Sequence, residues 1–337
     1  MKIAIHQNEH SFSIRWIGYC IKQNIPYKIV NCYESDIIEQ LSDCSFLMWH
    51  FHHLDYRDAI FAKQLVFAIE QKGIKVFPDF HTCWHFDDKV GQKYLLESIG
   101  APMVKSYVFY SKEDALKWVN STSFPKVFKL RGGAGASNVS LINNKNSAGK
   151  IIKKAFGKGF SQYNGWGSFN NKIRLYKINK ATRLDLIKSF IRIFFPANFA
   201  RMHGREKGYA YFQDYIPNNN FDIRIIAIGS NFFGIKRMVR ENDFRASGSG
   251  RVIYNKNEID IRCVEIAKDV SEKLMTQSIA FDFIFDKENN PLIIEISYGF
   301  SYAVYDQCNG FWDKDLNWNE VPFNPQEWMV NTLIQSK

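Results

Sequence analysis

The sequence predicts an α/β chain: a small open α/β domain at the N-terminus, followed by two further lobes. Three observations carry that expectation. Strands and helices alternate over the first 85 residues, a glycine-rich loop joins two strands near residue 130, and the stretch AFDFIFDKENNPLIIEIS (280–297) reads as a hairpin with facing carboxylates. With 337 residues and 46% hydrophobic content, the chain is long enough to bury a sizeable core. Domain boundaries are expected at 1–85, 86–212 and 213–337.

In the first segment, KIAIHQ opens as a strand, a helix follows near 12–23, and YKIVNC and CSFLMWHF (44–51) read as further strands. Residues 57–72 form a helical pattern that Gly73 ends, and KVFP (75–78) is the next strand. Ligands of open parallel sheets gather beyond the carboxyl ends of strands, which puts His50, His52 and His53 where a substrate could sit.

Asp87 and Asp88 open a helix that carries Lys89, and Gly100 closes it before Ala-Pro. After a strand at 104–109, Ser111 and Asp114 have capping-box spacing. KVFKL (126–130), the loop RGGAGASN (131–138) and VSLI (139–142) then form strand, loop, strand. Glycines let backbone N–H groups converge on an anion, so Gly132, Gly133, Gly135 and Ser137 are phosphate-cradle candidates, with Lys129 two residues before the loop. A flexible hairpin loop is the plain alternative.

YFQDYI (211–216) runs into a polar break, and DIRIIAIG (222–229) pairs back through Ser230-Asn231 onto FFGIKRMV (232–239). Pairing Ile228 with Phe232 sets Arg224 opposite Lys236, and facing cations ask for an anion unless Asp222 on the same face and solvent satisfy them. Residues 259–275 read as an amphipathic helix with Ile261, Val264, Ala267, Val270 and Leu274 toward the core. In the last hairpin, pairing Asp286 with Pro291 sets Asp282 opposite Glu295. Alternation sends Leu292, Ile294 and Ile296 to the aromatic face and Ile293 and Ser297 to the other. Facing carboxylates ask for a divalent cation, and oxygen-only ligands suit Mg²⁺; a solvated pair on an exposed hairpin is the alternative.

Net charge is +10, and residues 153–208 hold 13 Lys/Arg against Asp185 and Glu206 alone. The excess therefore belongs to one segment, which favours a local anionic partner over a chain adapted throughout to nucleic acid. Within it, TRLDLIKSFIRIFF (182–195) puts Leu184, Ile187, Ile191 and Phe194 on one stripe, with Arg183, Lys188 and Arg192 nearby. Such a helix can face the core or lie on an anionic membrane. No apolar run is long enough to span a bilayer and MKIAIHQNEH lacks a signal-peptide core, so a cytoplasmic protein is expected, with peripheral contact at the inner face of the membrane through 182–195 as one option.

Taken in order over about residues 85–300, these parts resemble the ATP-grasp superfamily. They are closest in pattern to its carboxylate:amine ligases, such as ribosomal-protein glutamate ligases, glutathione synthetases and D-alanine:D-alanine ligases. The resemblance implies a small α/β domain followed by two lobes that sandwich ATP. It implies that Lys89 and Lys129 contact the nucleotide phosphates, that the 131–138 loop folds over them, and that Gln213, Asp214, Tyr215 and Ile216 form the hinge that reads adenine. Asp222 is counted with the nucleotide-binding residues, Arg224, Arg237 and Arg245 surround the transferred phosphate and substrate carboxylate, and Asp282, Glu295 and Ser297 hold Mg²⁺ or Mn²⁺. Family members usually have Glu where Asp214 stands and Asn where Ser247 and Ser297 stand.

The implied reaction is transfer of the ATP γ-phosphoryl group to a carboxylate and attack of an amine on the acyl phosphate. A kinase of the same fold and a catalytically silent nucleotide-binding protein remain as alternatives. The partners implied are a small-molecule or glycan carboxylate and an amine, nucleic acid being disfavoured, and a homodimer is compatible with the pattern.

Overall fold

A computed structural model describes residues 1–9, 11–52, 55–132, 138–161, 165–177, 181–195, 202, 204–240 and 243–335. Its contacts divide the chain into two compact units, one made of residues 1–86, 94–103 and 216–337, the other of 87–93 and 104–215.

The first unit opens with four short parallel strands, β1 (Ile3–His6), β2 (Tyr27–Val30), β3 (Phe46–Met48) and β4 (Lys75–Phe77), in the order β2-β1-β3-β4. All four residues of β1 are buried, as a strand covered on both faces requires. Ile3 and Ile5 pack with Trp16 and Cys20 of the helix Ser13–Lys22, while Ala4 points the other way, toward Val66 and Ile69 of the helix Lys63–Gln71. His50 stands beyond β3, where its Nδ1 accepts the Phe12 N–H at 3.1 Å and its ring stacks on Phe12. His52 donates its backbone N–H to Asp58, and His53 lies outside the described residues.

The second unit is built on β5 (Ser106–Phe109), β6 (Lys126–Lys129), β7 (Val139–Ile142) and β10 (Ala210–Asp214), an antiparallel sheet ordered β5-β10-β6-β7. Helices Lys112–Ser121 and Lys145–Ala155 cover it through Ala115, Val119, Ala148 and Ile152 against Phe128 and Phe212. Each helix starts where a side chain takes an orphan N–H: Ser111 accepts from Asp114, and Asn144 from Ser147. A small ribbon pairs β8 (Phe160–Ser161) with β9 (Arg205–Glu206), and the helices Gly165–Lys177 and Arg183–Phe194 lie side by side. A full capping box between Thr182 and Asp185, unforeseen from the sequence, starts the latter.

The chain then returns to the first unit, where β11 (Phe221–Ile228), β12 (Asn231–Met238), β14 (Ser278–Phe285), β15 (Pro291–Ser297), β16 (Phe311–Trp312) and β17 (Trp318–Asn319) run in the order β15-β14-β11-β12-β16-β17. A further strand, β13 (Val252–Ile253), joins β12. One face of this sheet packs on the helix Ile261–Leu274 through Val264, Ala267, Val270 and Leu274; Ile261, expected on that stripe, is exposed at the first turn. The other face packs Ile226, Ile228, Phe233, Ile235 and Ala280 into the core that also holds Ile3 and Trp16.

Two registers differ from expectation. The β11–β12 turn is tighter, Ile228 pairing with Asn231 across Gly229-Ser230 with Gly229 at φ 55°, so Arg224 faces Ile235 and not Lys236. In the β14–β15 hairpin, Pro291 pairs with Phe285 instead of Asp286. A bulge at Ile294 absorbs the extra residue and brings Glu295 back opposite Asp282. The bulge also exchanges two isoleucines: Ile293 enters the core with Phe281 and Phe283, and Ile294 does not.

Candidate functional site

Strand alternation builds the first half of the site. The face of β11 that sends Ile226 and Ile228 into the core carries Arg224 and Asp222 at its other end. The matching positions are Arg237 on β12, beyond Phe233 and Ile235, and Asp282 on β14, beyond Ala280. Register then puts Asp222 beside Arg237, and Arg224 beside Asp282. Four charges thus meet at one edge of an apolar face.

Their geometry is that of a closed network. Arg224 donates Nη2–H to Asp282 Oδ2 at 2.8 Å and Nε–H to Oδ1 at 2.5 Å; Arg237 Nη2 lies 2.9 Å from the same Oδ1. Arg237 also clasps Asp222, with Nε to Oδ1 at 2.7 Å and Nη2 to Oδ2 at 2.6 Å. Burial works against the Asp282 charge, but the two guanidiniums outweigh it and hold the carboxyl at about 2. Asp222 is shifted the other way: burial and the neighbouring Asp282 raise it against the pull of Arg237 and Arg224. Burial lowers both arginines, and the carboxylates more than compensate, so both stay cationic. Tyr305, buried beside this network, has its phenol pushed up to about 12 by burial.

A carboxylate offers roughly four acceptor positions, and three N–H groups reach Asp282, two of them on Oδ1. One position remains on Oδ2, and Glu295 faces this residue across the strand pair. Ser297, two residues further on β15, donates its hydroxyl to the Gly299 carbonyl at 2.9 Å, which leaves its oxygen lone pairs able to accept or ligate. Two in-register carboxylates and a hydroxyl are a hard-oxygen donor set that fits Mg²⁺ completed by water and phosphate oxygens. Among the described residues no three His, Cys, Asp or Glu cluster as a metal cage, so an ion here depends on such outside ligands. Arg245 is held by Asp243, with Nη2 to Oδ2 at 2.6 Å, and Arg240 donates to the Ser247 carbonyl from Nε at 2.9 Å.

The second unit holds the remaining candidates. Lys89 starts the helix Lys89–Ser98 and Lys129 ends β6; both are buried, at 6% and 7% exposure. The Lys89 backbone N–H donates to the Arg131 carbonyl at 2.9 Å, and the Arg131 guanidinium lies 2.8 Å from Asp88, tying the helix start to the glycine-rich loop. Gly132 is described, whereas Gly133, Gly135 and Ser137 lie outside the described residues. On β10, Gln213 donates to the Ser106 hydroxyl at 3.1 Å and Asp214 accepts from Lys126 at 2.6 Å. Tyr215 and Ile216 stand where the chain passes from one unit to the other.

Some members of these clusters gave no sequence signal. Glu206 accepts the backbone N–H of Arg131 at 3.1 Å and of Gly132 at 3.3 Å, and Tyr209 donates its hydroxyl to the same carboxylate. Lys126, which pairs with Asp214, sits in the quoted KVFKL, but only the β6–β10 register could single it out. Burial and the Glu206 carboxylate push the Tyr209 phenol upward.

Residues 202–305 match the model of the RimK-like ATP-grasp domain. The alpha-aminoadipate–LysW ligase LysX of Saccharolobus solfataricus is 23% identical over 246 residues, covering 73% of each chain. Among solved structures, the biotin carboxylase domain of the Hydrogenobacter thermophilus 2-oxoglutarate carboxylase, in complex with MgADP, ADP and bicarbonate, superposes with a TM-score of 0.62 at 12% identity, over 100% of this chain and 70% of that one. The D-alanine–D-alanine ligase of Bacillus anthracis, complexed with ATP, gives 0.58 at 12% identity, over 99% and 96%. Residues 202–305 are thus similar to the RimK-like ATP-grasp domain, and the chain shares its fold with that carboxylase domain and that ligase.

Proposed function

We propose that the protein uses ATP to convert a substrate carboxylate to an acyl phosphate and passes the acyl group to an amine. A carboxylate oxygen attacks the γ-phosphorus as the bond to the β-phosphate oxygen breaks, releasing ADP. The amine nitrogen then attacks the acyl carbon and expels inorganic phosphate, losing a proton as the amide forms. The observation that carries this reading is the largely buried Asp222–Arg237–Asp282–Arg224 network with Glu295 in register beside it.

Phosphoryl transfer asks little covalent chemistry of a protein; positioning and charge neutralisation dominate. The two guanidiniums are locked by Asp282 and Asp222, so they are preorganised cations able to face a transferred phosphate or a substrate carboxylate. Arg245, oriented by Asp243, serves the same role from the 243–251 segment. Asp282, Glu295 and Ser297 would hold Mg²⁺, with Mn²⁺ an acceptable substitute, and the ion supplies neutralisation of phosphate charge. Lys89 and Lys129 bind nucleotide phosphates, and Gln213–Ile216 reads the base. The carboxylate is a small molecule or glycan, including a cell-envelope precursor.

The test is ATP turnover with Mg²⁺ over pooled carboxylates, amino acids and sugar acids, in the presence of hydroxylamine. A hydroxamate that disappears in Glu295→Gln establishes acyl phosphate chemistry and identifies the carboxylate. A phosphorylated product without hydroxamate assigns the site to a kinase and overturns the ligase reading.

A further inference from the structure

The hairpin of residues 165–195 presents to solvent what the rest of the molecule buries. On the helix Arg183–Phe194, Ser189 is buried, and Asp185, Leu186 and Ile193 beside it are half-buried. Much of the remaining circumference is apolar and exposed: Leu184, Ile187, Phe190, Ile191 and Phe194 are between 45% and 66% exposed, and Phe195 75%. At 100° per residue these six form one continuous arc. The stripe seen in the sequence is therefore no core face.

Charge gives the arc its direction. Lys188 and Arg192 follow Leu184 and Phe195 along the flank of the arc, and Arg183 stands within it. The described residues of the hairpin hold six Lys/Arg against Asp185, whose carboxylate already accepts from the Thr182 N–H and hydroxyl. A helix with an apolar arc and a basic flank is suited to lie in the interface plane of an anionic bilayer. No helix among the described residues is long and apolar enough to cross one. A second copy fits poorly, since a two-fold contact would set cationic patch against cationic patch. Nucleic acid fits poorly too, because Phe190, Phe194 and Phe195 are interleaved with Leu184, Ile187 and Ile191 along one stripe and form no separate stacking platform.

We infer that this hairpin seats the enzyme on an anionic lipid surface, its apolar arc at the headgroup boundary and its basic flank against lipid phosphates. The seat stands independently of the ligase chemistry, since none of its residues belongs to the carboxylate–arginine network.

Flotation of the full chain with vesicles of phosphatidylcholine alone, or of phosphatidylcholine with phosphatidylglycerol, tests it at low and high salt. The chain should float with the anionic vesicles only and be released as salt rises. Lys188→Gln with Arg192→Gln should weaken partitioning roughly fivefold per charge, and Ile187→Asp with Ile191→Asp should abolish it. These side chains are exposed, so unchanged circular dichroism and ATP turnover without vesicles are expected of the variants. Absence of flotation, equal flotation with both vesicle types, or flotation that survives both pairs of substitutions overturns the proposal. So does a concentration-dependent dimer that Ile187→Asp dissolves while no vesicle is bound.

Discussion

The carboxylate–arginine network and the 165–195 hairpin invert the usual distribution of side chains in opposite ways. The first gathers four charges, three of them buried and Arg224 half-buried, and the second exposes seven large apolar side chains. A buried charge is tolerated only with an opposite charge and hydrogen bonds around it, and the network meets that condition inside the protein. An exposed apolar arc meets its condition only outside the protein. The contrast separates a site that must be assembled by folding from one completed by a partner, and substitutions should behave accordingly.

The largest effect is expected at Asp282. Asp282→Ala leaves half-buried Arg224 without its paired carboxylate and buried Arg237 with Asp222 alone, which should cost about 3–5 kcal/mol of stability as well as turnover, measurable by denaturant unfolding. Paired hairpin substitutions such as Ile187→Asp should leave unfolding nearly unchanged. The same carboxylate sets a pH dependence. Because the folded state holds Asp282 below its ordinary range, its contribution is fully present above about pH 4 and is lost as pH falls toward about 2. Asp222, raised in the folded state, contributes the opposite slope, so Asp282→Asn should flatten or reverse the acid limb of the wild-type stability profile. An acid limb as steep in the variant as in the wild type would remove Asp282 as its source.

Glu295 sharpens the comparison from within the site. It faces Asp282 from the edge strand β15 and is half-buried where Asp282 is buried. Because Gln keeps the shape of this half-buried side chain and removes only its charge, Glu295→Gln should lower kcat by about 10²–10³-fold while changing stability by no more than about 1 kcal/mol. A stability loss as large as that of Asp282→Ala would make Glu295 part of the structural network and weaken its assignment to metal binding.

How much of this was legible varies with how far each feature reaches along the chain. The hairpin of Asp282 and Glu295 could be read because the polar cluster Lys287–Asn290 marks a local turn, but the register expected from that turn was one residue off and only the bulge returns Glu295 to face Asp282. The bulge could not, since Ile293 and Ile294 are the same residue and only packing against Phe281 and Phe283 decides which goes inward. The Arg224–Asp282 pair spans 58 positions and depends on β11 lying beside β14, so the sequence suggested an anion for Arg224 but not that the anion is Asp282. The apolar periodicity of 182–195 was plain, and its exposure was not, because period reports a face and says nothing of what covers it.

Gly234 on β12 pairs with Ile225, the neighbour of Arg224 on β11. A Cβ built there would meet the Arg224 carbonyl oxygen at 2.9 Å and Ile225 Cδ1 at 2.6 Å. Gly234→Ala must therefore push β12 away from β11 at the residue that carries the guanidinium. The expected cost is about 1–3 kcal/mol, with a larger fractional loss of kcat than a surface substitution of equal stability cost. Wild-type kcat in a variant destabilised this much would show that the network tolerates strand displacement.

The smallest effect is expected at Glu206, which resembles the network in chemistry but not in burial. Its carboxylate gathers the N–H groups of Arg131 and Gly132 at the mouth of the glycine-rich loop, together with the Tyr209 hydroxyl. Backbone N–H groups that converge on a carboxylate are also arranged for a phosphate oxygen, so the loop base is preorganised by an anion the chain itself provides. Glu206→Gln keeps an acceptor but turns an amide N–H toward one of these donors, so about 1 kcal/mol should be lost. Global unfolding should barely register a change of that size, whereas hydrogen exchange at Arg131 and Gly132 should quicken severalfold. Exchange at Asn144–Ser147, capped independently on the same unit, should stay as it was. If both places accelerate together, Glu206 stabilises the unit as a whole, and its hold on the loop base is not local.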